Sequence, residues 1–556
     1  MPPAPLLALS LLVESVHAAL PDQEIYLVGG AVRDALLGQL SHDLDFVVPQ
    51  KAIAIARRVA DALNADFYIL DESFDTARVI VHGAPSPHME EENAARGKAE
   101  DGQNASRDFL DFSSFRRPKG LPVEAMAPEN EGGGSEESAK GPTGVETDLR
   151  GRDFTINSIA YDLRTGSILD PLKGASDLRA KTLRACSSSS LSDDPIRILR
   201  GVRLAAALEF KIEDATRAAM KAAASRLPNV SPERQRDELF KALEGQRPDA
   251  SLRVIEALGV FPYFLPELVA MKGVQQSAPH VDDVWEHTLS VMRHLDGIIA
   301  TLSTTHTAEE NNDLLTGLLS LRLGRYRERF AAHFANSLNP DRSMRGLLFL
   351  AALFHDVSKP GTRTADETGR IRFLGHEVTG AEVAARRARA FNLSNDEVGR
   401  IKAIVANHMR FHFHVSRLEA EKKPPSRRSI YRFFRDAGKA GVDLILLGLA
   451  DLRGTRGRML TQEVWSNGLE VARIFLENYW EKPEETVAPR RVLDGNEIMA
   501  EYKLRPGPIV GQLLAAIREA QAIGGISSRD EALAFGRKWL TKVRGETTSK
   551  VVRRDE

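Results

Sequence analysis

The amino-acid sequence predicts an α+β protein in which a mixed-sheet N-terminal domain precedes an all-helical remainder. The first observation is a short apolar run, residues 25–28, that breaks at a glycine pair and leads into an amphipathic segment, the pattern of strand, tight turn and helix. Further apolar runs, up to residues 109–112, indicate more strands. Beyond residue 186, segments such as 194–203 have helical spacing instead.

Length and composition bound the function. At 556 residues the chain is too long for one domain, and three or four are expected. Apolar residues make up 42% and charged residues 27%, as in a soluble globular protein. The net charge of −2 excludes a bulk attraction to nucleic acid, so any RNA partner would have to bind local basic faces. The single cysteine, Cys186, excludes an internal disulfide framework and fits a reducing compartment.

The N-terminal segment gives no sign of export or membrane insertion. Residues 6–12 are apolar, but no basic segment precedes them, and Glu14 and His17 follow soon after. We therefore expect an amphipathic helix packed on the first strand and not a signal peptide. No apolar run reaches membrane-spanning length, which predicts a cytoplasmic protein without a membrane partner.

The pair Gly29 and Gly30 marks the first candidate site. Glycine lets the backbone approach a ligand closely, and the helix that starts here directs free N–H groups at it. This arrangement suits a phosphate, and Gly38 is the expected end of the helix. Taken alone, a glycine pair also fits any tight turn.

Two carboxylates follow on the next apolar run. Asp43 and Asp45 are two residues apart, so a strand would place both on one face. Two hard oxygen ligands beside a triphosphate cradle are what a pair of Mg²⁺ ions needs. The carboxylate pair alone also fits a solvated strand end, but the order and spacing of the glycine pair and the carboxylates favour a site.

Residues 25–49 resemble the signature of the nucleotidyltransferase superfamily, and more narrowly that of bacterial tRNA nucleotidyltransferases (CCA-adding enzymes) and their poly(A) polymerase relatives. The resemblance implies a polymerase-β-like head that transfers CMP or AMP from CTP or ATP to a tRNA 3′ end and releases pyrophosphate. It implies that Asp43 and Asp45 are catalytic and hold Mg²⁺. It also implies nucleotide-binding roles for Gly29, Gly30, Arg33 and Asp34.

The rest of the predicted head continues the sheet. Residues 52–63 have a helical pattern, residues 67–70 and 77–81 indicate a hairpin, and residues 109–112 indicate another strand. Asp111 stands where the superfamily often has a third carboxylate, although an ordinary polar residue on an open strand face fits equally well. Segments of biased composition, at about 83–106 and 118–147, are expected to be disordered insertions.

A second motif starts at Asp148. Residues 148–162 resemble the family motif Arg-Arg-Asp-Phe-Thr-Ile-Asn, with Gly151 in place of the first arginine. The resemblance implies that Arg152, Asp153 and Asn157 bind the sugar and phosphates of the incoming nucleotide. Residues 170–178 resemble the family's hinge between head and neck.

A third motif carries arginines at helical spacing. Asp194, Arg197, Arg200 and Arg203 are three residues apart and would share one helix face, with Pro195 in the first turn. A solvated basic face is the simple interpretation, but Asp194 and Arg197 also offer planar edges that can pair with a base. The matching Glu-Asp-x-x-Arg of the family selects C or A without a template, which implies nucleotide binding by all four residues. Asp193 replaces the glutamate, and Leu204 replaces the family's usual phenylalanine.

The C-terminal half carries a set of histidines and carboxylates. Their order resembles the HD domain of metal-dependent phosphohydrolases, which implies one or two bound transition-metal ions, such as Ni, Co or Mn, that activate water. A single histidine on an apolar helix is usually a core residue, but the full set favours metal binding. The expected ligands are His287, His355, Asp356, His376, His408 and Asp451.

These motifs suggest four parts: a nucleotidyltransferase head at 1–185, a helical neck that binds RNA and nucleotide at 186–270, an HD domain at 271–470 and a helical tail at 471–556. Residues 311–341 look like an insertion in the HD domain. Residues 427–435 mix basic and aromatic side chains, which fits RNA contact or, as we favour, an amphipathic helix with its rings inward. The end of the chain after Arg544 is charged and expected to fray.

Several functions share these motifs. A poly(A) polymerase, or an enzyme that adds only CC or only A, would carry the same residues. A rival of another class is an HD phosphohydrolase whose head merely binds RNA, although the retained Asp43 and Asp45 argue against it. The expected partners are tRNA or another RNA 3′ end, with CTP and ATP, and no protein partner is inferred.

Overall fold

The structure is a computed structural model that describes residues 11–39, 41, 43–82, 107–115, 144–310, 313–340 and 342–552. The insertion predicted at 83–106 and most of the one predicted at 118–147 lie outside these residues. Residues 144–147 are an exception, because they begin the helix Gly144–Arg150 and are therefore not part of a disordered segment. The chain divides into two compact units, Met1–Val230 and Ser231–Glu556, so the predicted head–neck boundary at 185 falls inside the first unit.

A seven-stranded mixed sheet forms the centre of the first unit. Along the sheet the strand order is β3-β4-β5-β2-β1-β6-β7. Strands β2 and β5 are parallel, and the other neighbouring pairs are antiparallel, which confirms the predicted mixed sheet. The strands are β1 Tyr26–Val28, β2 Asp43–Val48, β3 Asp66–Asp71, β4 Thr76–His82, β5 Arg107–Ser114, β6 Ala160–Asp162 and β7 Ile168–Leu169.

Alternation along β2 explains how the sheet exposes charge and buries a core. Asp43 and Asp45 are exposed, whereas Leu44 and Phe46, which alternate with them along the strand, are buried. Phe46 stacks on Phe112 of the neighbouring strand at 4.9 Å between ring centroids. The predicted hairpin is confirmed by β3 and β4, and the predicted helix by Ala52–Leu63.

Short helices complete the first unit. A two-stranded parallel ladder, β8 Thr182–Leu183 with β9 Lys211–Ile212, lies beside them. The N-terminal helix starts at Leu11 in the described residues and contacts the helix Ala52–Leu63, while most of the predicted 6–12 segment lies outside them. The α-helices are Leu11–Ala19, Gly30–Leu36, Ala52–Leu63, Gly144–Arg150, Gly174–Arg179, Ser190–Asp193, Arg197–Leu208 and Asp214–Ala223, and the 3₁₀ turns are Thr155–Asn157 and Ala224–Asn229.

The described residues of the second unit form helices and one hairpin, β10 Arg363–Ala365 with β11 Ile371–Phe373, which the all-helical prediction missed. Within the described part of the chain, no helix is both long enough and apolar enough to cross a membrane. The α-helices are Pro232–Glu244, Pro248–Ala257, Phe261–Phe264, Val284–Thr301, Leu314–Leu323, Arg327–Ala335, Met344–Phe354, Lys359–Thr362, His376–Ala390, Asn395–Asn407, Met409–Glu421, Arg427–Ala437, Gly441–Arg456, Gln462–Trp480, Gly495–Tyr502, Pro508–Ala522 and Arg529–Val552. Single turns of 3₁₀-helix occupy Pro266–Met271, Ala308–Glu310, Gly324–Tyr326, Gly438–Ala440 and Gly457–Met459, and a π-helical turn occupies Pro483–Val487.

Three helices form the centre of the second unit. Met344–Phe354 is buried along nearly its whole length and packs on Val284–Thr301 and Gly441–Arg456. The ring of Phe411 lies so close to Gly448 that a β-carbon on residue 448 would clash with it. This close approach brings the helix Met409–Glu421 against the centre, where the histidines lie.

The predicted insertion at 311–341 is an integral part of the second unit. Tyr326 and Phe330 pack on Trp480 at ring-centroid distances of 5.2 and 5.0 Å. The indole N–H of Trp465 donates to the carbonyl oxygen of Leu315 at 2.8 Å. A segment held by two aromatic contacts and a hydrogen bond from a buried indole contributes to the core of the unit.

The helix Arg427–Ala437 has the inward-ring arrangement that we favoured. Tyr431, Phe433 and Phe434 are buried, whereas Arg432 on the outer face pairs with Glu519 at 2.6 Å. The last three helices bury a small core of their own around Leu513. The charged end predicted to fray after Arg544 is helical as far as Val552, and residues 553–556 lie outside the described part.

Candidate active sites

The turn after β1 brings the first two motifs together. Gly29 has φ 77° and ψ −136°, a conformation that strongly favours glycine. A β-carbon on Gly29 would lie 3.0 Å from Asp45 Oδ2 and 3.4 Å from Arg152 Nη1. The backbone of the glycine turn, the second carboxylate of β2 and the arginine of the second motif therefore line one small site.

The carboxylates of β2 share an exposed face of the sheet. Asp111 on β5 is the register partner of Asp45, and Arg78 on β4 binds both carboxylate oxygens of Asp111 at 2.7 Å. By surface area Asp45 is open to solvent, yet surrounding protein atoms partly desolvate it, and this desolvation raises its pKa. Asp111 and Asp43 raise the pKa further, while Arg152 opposes them. A divalent cation between the carboxylates would relieve this repulsion.

The second motif is held rigidly around Asp153. Its carboxylate is buried and accepts hydrogen bonds from the Phe154 amide at 2.8 Å and the Asn157 side chain at 3.2 Å. Arg200 pairs with it at 2.9 Å. Burial alone would raise the pKa of Asp153, but Arg200 and these donors outweigh it and lower the pKa. Asp153 is therefore an ionised acceptor at neutral pH.

Arg33 links the first helix to the second motif. Its guanidinium donates to Asn157 Oδ1 at 2.8 Å and to Asp34 Oδ1 at 2.8 Å. Arg152 is held in turn by the buried Asp148, at 3.0 Å between Nε and Oδ2. Hydrogen bonds or ion pairs within the protein therefore hold five of the predicted residues of these two motifs, namely Arg33, Asp34, Arg152, Asp153 and Asn157.

The third motif differs from the prediction. Asp194 does not share the helix face, because its backbone is extended, with φ −140° and ψ 91°, and the helix begins only at Arg197. Pro195 is the physical reason, since a residue before proline is disfavoured in the α-helical region. Asp194 Oδ2 still lies 3.9 Å from Arg197 Nε. Arg200 and the half-buried Arg203 follow on the helix as predicted.

Arg197 anchors the backbone of the second motif. Its Nη1 donates to the carbonyl of Arg152 at 2.9 Å and to the hydroxyl of Ser190 at 2.7 Å. Its Nη2 donates to the carbonyl of Gly151 at 3.0 Å. The contact of Ser190 with Arg197 and the bidentate clamp of Arg78 on Asp111 were not expected from the sequence. Strand alternation across the hairpin could have placed Arg78, whereas the Ser190 contact depends on tertiary packing.

All six predicted metal ligands of the second unit converge. His287, His355 and Asp451 form one potential ligand group, and Asp356, His376 and His408 form a second. All six are buried. Asp356 lies between the two groups. Its Oδ2 is 3.1 Å from His355 Nε2, and its Oδ1 is 3.3 Å from His376 Nε2.

Backbone contacts orient three of the imidazoles. Nδ1 of His355, His376 and His408 lies 2.7, 2.6 and 2.8 Å from the carbonyl oxygens of Ala352, Phe373 and Val405. These contacts assign the proton of each neutral ring to Nδ1 and leave Nε2 with its lone pair. The Nε2 atoms of His376 and His408 are only 3.2 Å apart, so their lone pairs face each other.

Buried polar atoms without a hydrogen bond also indicate that the cluster could hold a metal. Within the described residues, the buried Nε2 atoms of His287 and His355 and both oxygens of Asp356 make no hydrogen bond of good geometry, although Lys359 Nζ lies close to Asp356 Oδ2. Burial lowers the pKa of His408, which keeps that ring neutral. Burial opposes it, but the positive charges of His355 and Lys359 hold the pKa of Asp356 well below its usual value, and Asp356 in turn raises the pKa of His355. An ionised carboxylate among imidazoles fits a transition metal, which would displace any proton from the Nε2 atoms on binding.

Three residues around this cluster were missed by the sequence analysis. Lys359 Nζ lies 2.6 Å from Asp356 Oδ2 and donates to Gln276 at 2.7 Å. His412 Nε2 lies 2.7 Å from Asp451 Oδ2, and the His280 ring contacts the His287 ring edge-on. His412 follows His408 by one helical turn, a spacing that could have indicated it.

The mixed sheet and the glycine–carboxylate–arginine site define a nucleotidyltransferase, and sequence families agree. Residues 25–184 match the family "Poly A polymerase head domain". Residues 209–271 match "Probable RNA and SrmB- binding site of polymerase A", and residues 320–433 match "HD domain". His287 and Asp451 lie outside the last match and reach the histidine cluster through tertiary structure.

Two curated relatives extend along almost the whole chain. The chain is 31% identical over 526 residues to the CC-adding tRNA nucleotidyltransferase of Thermus thermophilus, covering 93% of this chain and 94% of the relative. It is 31% identical over 529 residues to the A-adding tRNA nucleotidyltransferase of Deinococcus radiodurans, covering 93% and 96%. The chain therefore belongs to the tRNA nucleotidyltransferase family.

Solved structures share the fold. A CCA-adding enzyme in complex with CTP superposes with a TM-score of 0.53 at 19% identity, over 95% of this chain and 94% of that one. An apo form of a CCA-adding enzyme gives a TM-score of 0.53 at 20% identity, over 94% and 91%. The predicted α+β architecture is thus confirmed for the chain.

Proposed function

We propose that this enzyme transfers CMP and AMP from CTP and ATP to the 3′ end of tRNA and releases pyrophosphate. The observation that carries the proposal is the packing of Asp45 and Arg152 against the backbone of Gly29. This places carboxylate, guanidinium and main chain where a metal-bound triphosphate could meet all three. The family membership and the names of the relatives support tRNA as the acceptor.

Each part of the site has a role in this proposal. Asp43 and Asp45 would hold two Mg²⁺ ions, which would lower the pKa of the attacking hydroxyl and stabilise the leaving pyrophosphate. The turn at Gly29 and Gly30 would accept the triphosphate, with Arg33 and Asp34 beside it. The sugar side would meet Arg152, Asp153 and Asn157. Because Asp153 and Asn157 are already hydrogen-bonded, the protein pre-organises this side before the nucleotide arrives.

The base would be selected by Asp194 and Arg197. Both Nη1–H groups and one Nη2–H of Arg197 are engaged by protein acceptors. The edge that carries Nε is therefore the edge that can meet a base, and it faces Asp194. Arg200 and Arg203, one and two turns further on, would add positive charge near the nucleotide.

The order of nucleotides added separates this proposal from its alternatives. The CC-adding and A-adding relatives are equally similar to this chain, so identity does not choose between them. A decisive assay incubates the enzyme with tRNA lacking its 3′ end and with CTP, ATP or both, and resolves products by length. CCA addition gives two C residues from CTP alone and three nucleotides from the mixture. Stopping at CC, adding A only after CC, or extending A runs would instead identify a CC-adding enzyme, an A-adding enzyme or a poly(A) polymerase.

A second activity is proposed for the histidine cluster. The unsatisfied Nε2 atoms and Asp356 oxygens favour a bound Ni, Co or Mn ion and metal-dependent hydrolysis of phosphate esters or 2′,3′-cyclic nucleotides. Metal analysis of the purified protein, followed by assays with these substrates, tests this activity. If hydrolysis were the only activity, the chain would be an HD phosphohydrolase with an RNA-binding head, and the tRNA assay would show no addition.

The site of action proposed for the enzyme is the cytoplasm. Cys186 is the only cysteine, and burial raises the pKa of its thiol to about 12, so it stays protonated and unreactive. A chain without disulfides suits a reducing compartment where tRNA is processed.

A further inference from the structure

The guanidinium of Arg78 pairs with Asp111, the third carboxylate on the sheet face that carries Asp43 and Asp45. Arg78 Nε contacts Asp111 Oδ1 and Arg78 Nη2 contacts Asp111 Oδ2, both at 2.7 Å. A bidentate pair of this kind is directional and stronger than a single contact. Arg78 also lies over the ring of Phe109, with its guanidinium carbon 5.1 Å from the ring centroid. The arginine is therefore fixed from two sides.

The pair belongs to a row of charges that crosses three strands. Arg78 on β4 is the register partner of Asp111 on β5. Asp111 is in turn the register partner of Asp45 on β2. Alternation places these side chains and Asp43 on the same open face of the sheet, because Ala77, Leu110 and Leu44 are buried on the other. The row runs from the cation Arg78 through Asp111 to Asp45 and Asp43, the proposed metal ligands.

Charge effects show that the members of the row interact. The hydrogen bonds that Arg78 donates to Asp111 are the main reason why the pKa of Arg78 is raised, and the charges of Asp43 and Asp45 add to the effect. Because Asp111 is the register partner of Asp45, a change in the charge of Asp111 acts where the magnesium ions would bind.

We infer that Arg78 is a positioning residue for nucleotidyl transfer that withholds Asp111 from the metal ions. With both oxygens of Asp111 paired, the metals are held by Asp43 and Asp45, and Asp111 acts only through its charge. The arginine thereby sets the net charge of this face and the Mg²⁺ concentration at which the enzyme works. The inference rests on the proposed function of the head.

Charge-changing substitutions test the clamp. Arg78→Ala uncovers Asp111, adds negative charge beside Asp45, and should lower the half-saturating Mg²⁺ concentration of nucleotide incorporation by about three- to tenfold. Asp111→Asn leaves Arg78 unpaired and should raise that concentration by a similar factor. The double variant carries a neutral pair and should return to the wild-type curve within about twofold.

A direct binding measurement complements the kinetics. Binding of Mn²⁺ is followed through the electron paramagnetic resonance signal of the free ion, on a background of His355→Ala with Asp356→Ala that removes the second cluster. The three variants should shift the Mn²⁺ affinity in the same directions as the Mg²⁺ curves. Arg217→Ala is the matched control, because it removes an exposed arginine from an ion pair with Asp214 in the same unit.

Two results would overturn the clamp. If Asp111→Asn at saturating Mg²⁺ loses incorporation as fully as Asp45→Asn, and Arg78→Ala does not restore it, Asp111 is a metal ligand. If Arg78→Ala leaves both the Mg²⁺ and the Mn²⁺ curves unchanged, the pair has no influence on the site. Failure of the wild-type enzyme to extend tRNA would instead count against the proposed function, while the Mn²⁺ measurement would still judge the clamp.

Discussion

Replacing Gly29 with alanine tests the geometry of the nucleotidyl-transfer site. The new β-carbon would lie 3.0 Å from Asp45 Oδ2, so the carboxylate or the turn must move by a few tenths of an ångström. The positive φ of 77° adds backbone strain of about 1–3 kcal/mol, which should lower the free energy of unfolding by that amount. Displacement of Asp45 should reduce kcat/KM for nucleotide incorporation by about 100-fold, as small misplacements of catalytic groups do.

Gly38→Ala is the matched control for this substitution. Gly38 also has a positive φ, 74°, but a β-carbon there would meet nothing within 4 Å. The control should therefore also carry backbone strain from its positive φ while keeping wild-type incorporation. Thermal unfolding reports the strain, and incorporation of labelled CMP into tRNA lacking its end reports activity. Wild-type kcat/KM for Gly29→Ala, or an equal loss for both variants, would show that the contact with Asp45 does not shape the site.

Three further predictions concern the other groups. Asp43→Ala or Asp45→Ala should abolish incorporation with an unchanged circular dichroism spectrum. Because folding raises the pKa of Asp45, the ionised carboxylate lowers the free energy of unfolding at any pH above its pKa in the unfolded chain. Without metal, Asp45→Asn should therefore raise the melting temperature at pH 7 but not at pH 3. Arg197→Ala should change the ratio of kcat/KM for CTP, ATP, UTP and GTP more than it weakens triphosphate binding, and an unchanged ratio would place base selection elsewhere. His355→Ala with Asp356→Ala should remove bound transition metal and phosphohydrolase activity, and loss of tRNA extension in this folded variant would contradict two independent sites.

Local patterns explain how much of the fold could be predicted. The strand, turn and helix around Gly29 and the paired Asp43 and Asp45 follow from alternation and turn chemistry within a few residues. The hairpin of β3 and β4 follows from the same rules. Hairpin β10–β11 was missed, because its strands are only three residues long and carry too few apolar positions to show a period.

Tertiary contacts explain what was missed in the sites. The six expected ligands of the second cluster follow from the resemblance to the HD domain, whereas Lys359 meets Asp356 within the turn that follows the helix Met344–Phe354. The spacing from His408 could have indicated His412, but its contact with Asp451 depends on two helices that pack closely at Gly448. The error at Asp194 has a different origin, since the backbone restriction imposed by Pro195 is visible in the sequence.

The contacts of Arg197 determine what its substitution can show. This side chain donates to the carbonyls of Gly151 and Arg152, the segment that presents Arg152 to the catalytic face. In the proposed site, removing it would therefore loosen the sugar side for every nucleotide and lower all rates together. Loss of the Nε edge, by contrast, affects only bases that pair with that edge. A rate for one nucleotide mixes the two effects, whereas the ratio among four nucleotides cancels the shared one and isolates base recognition.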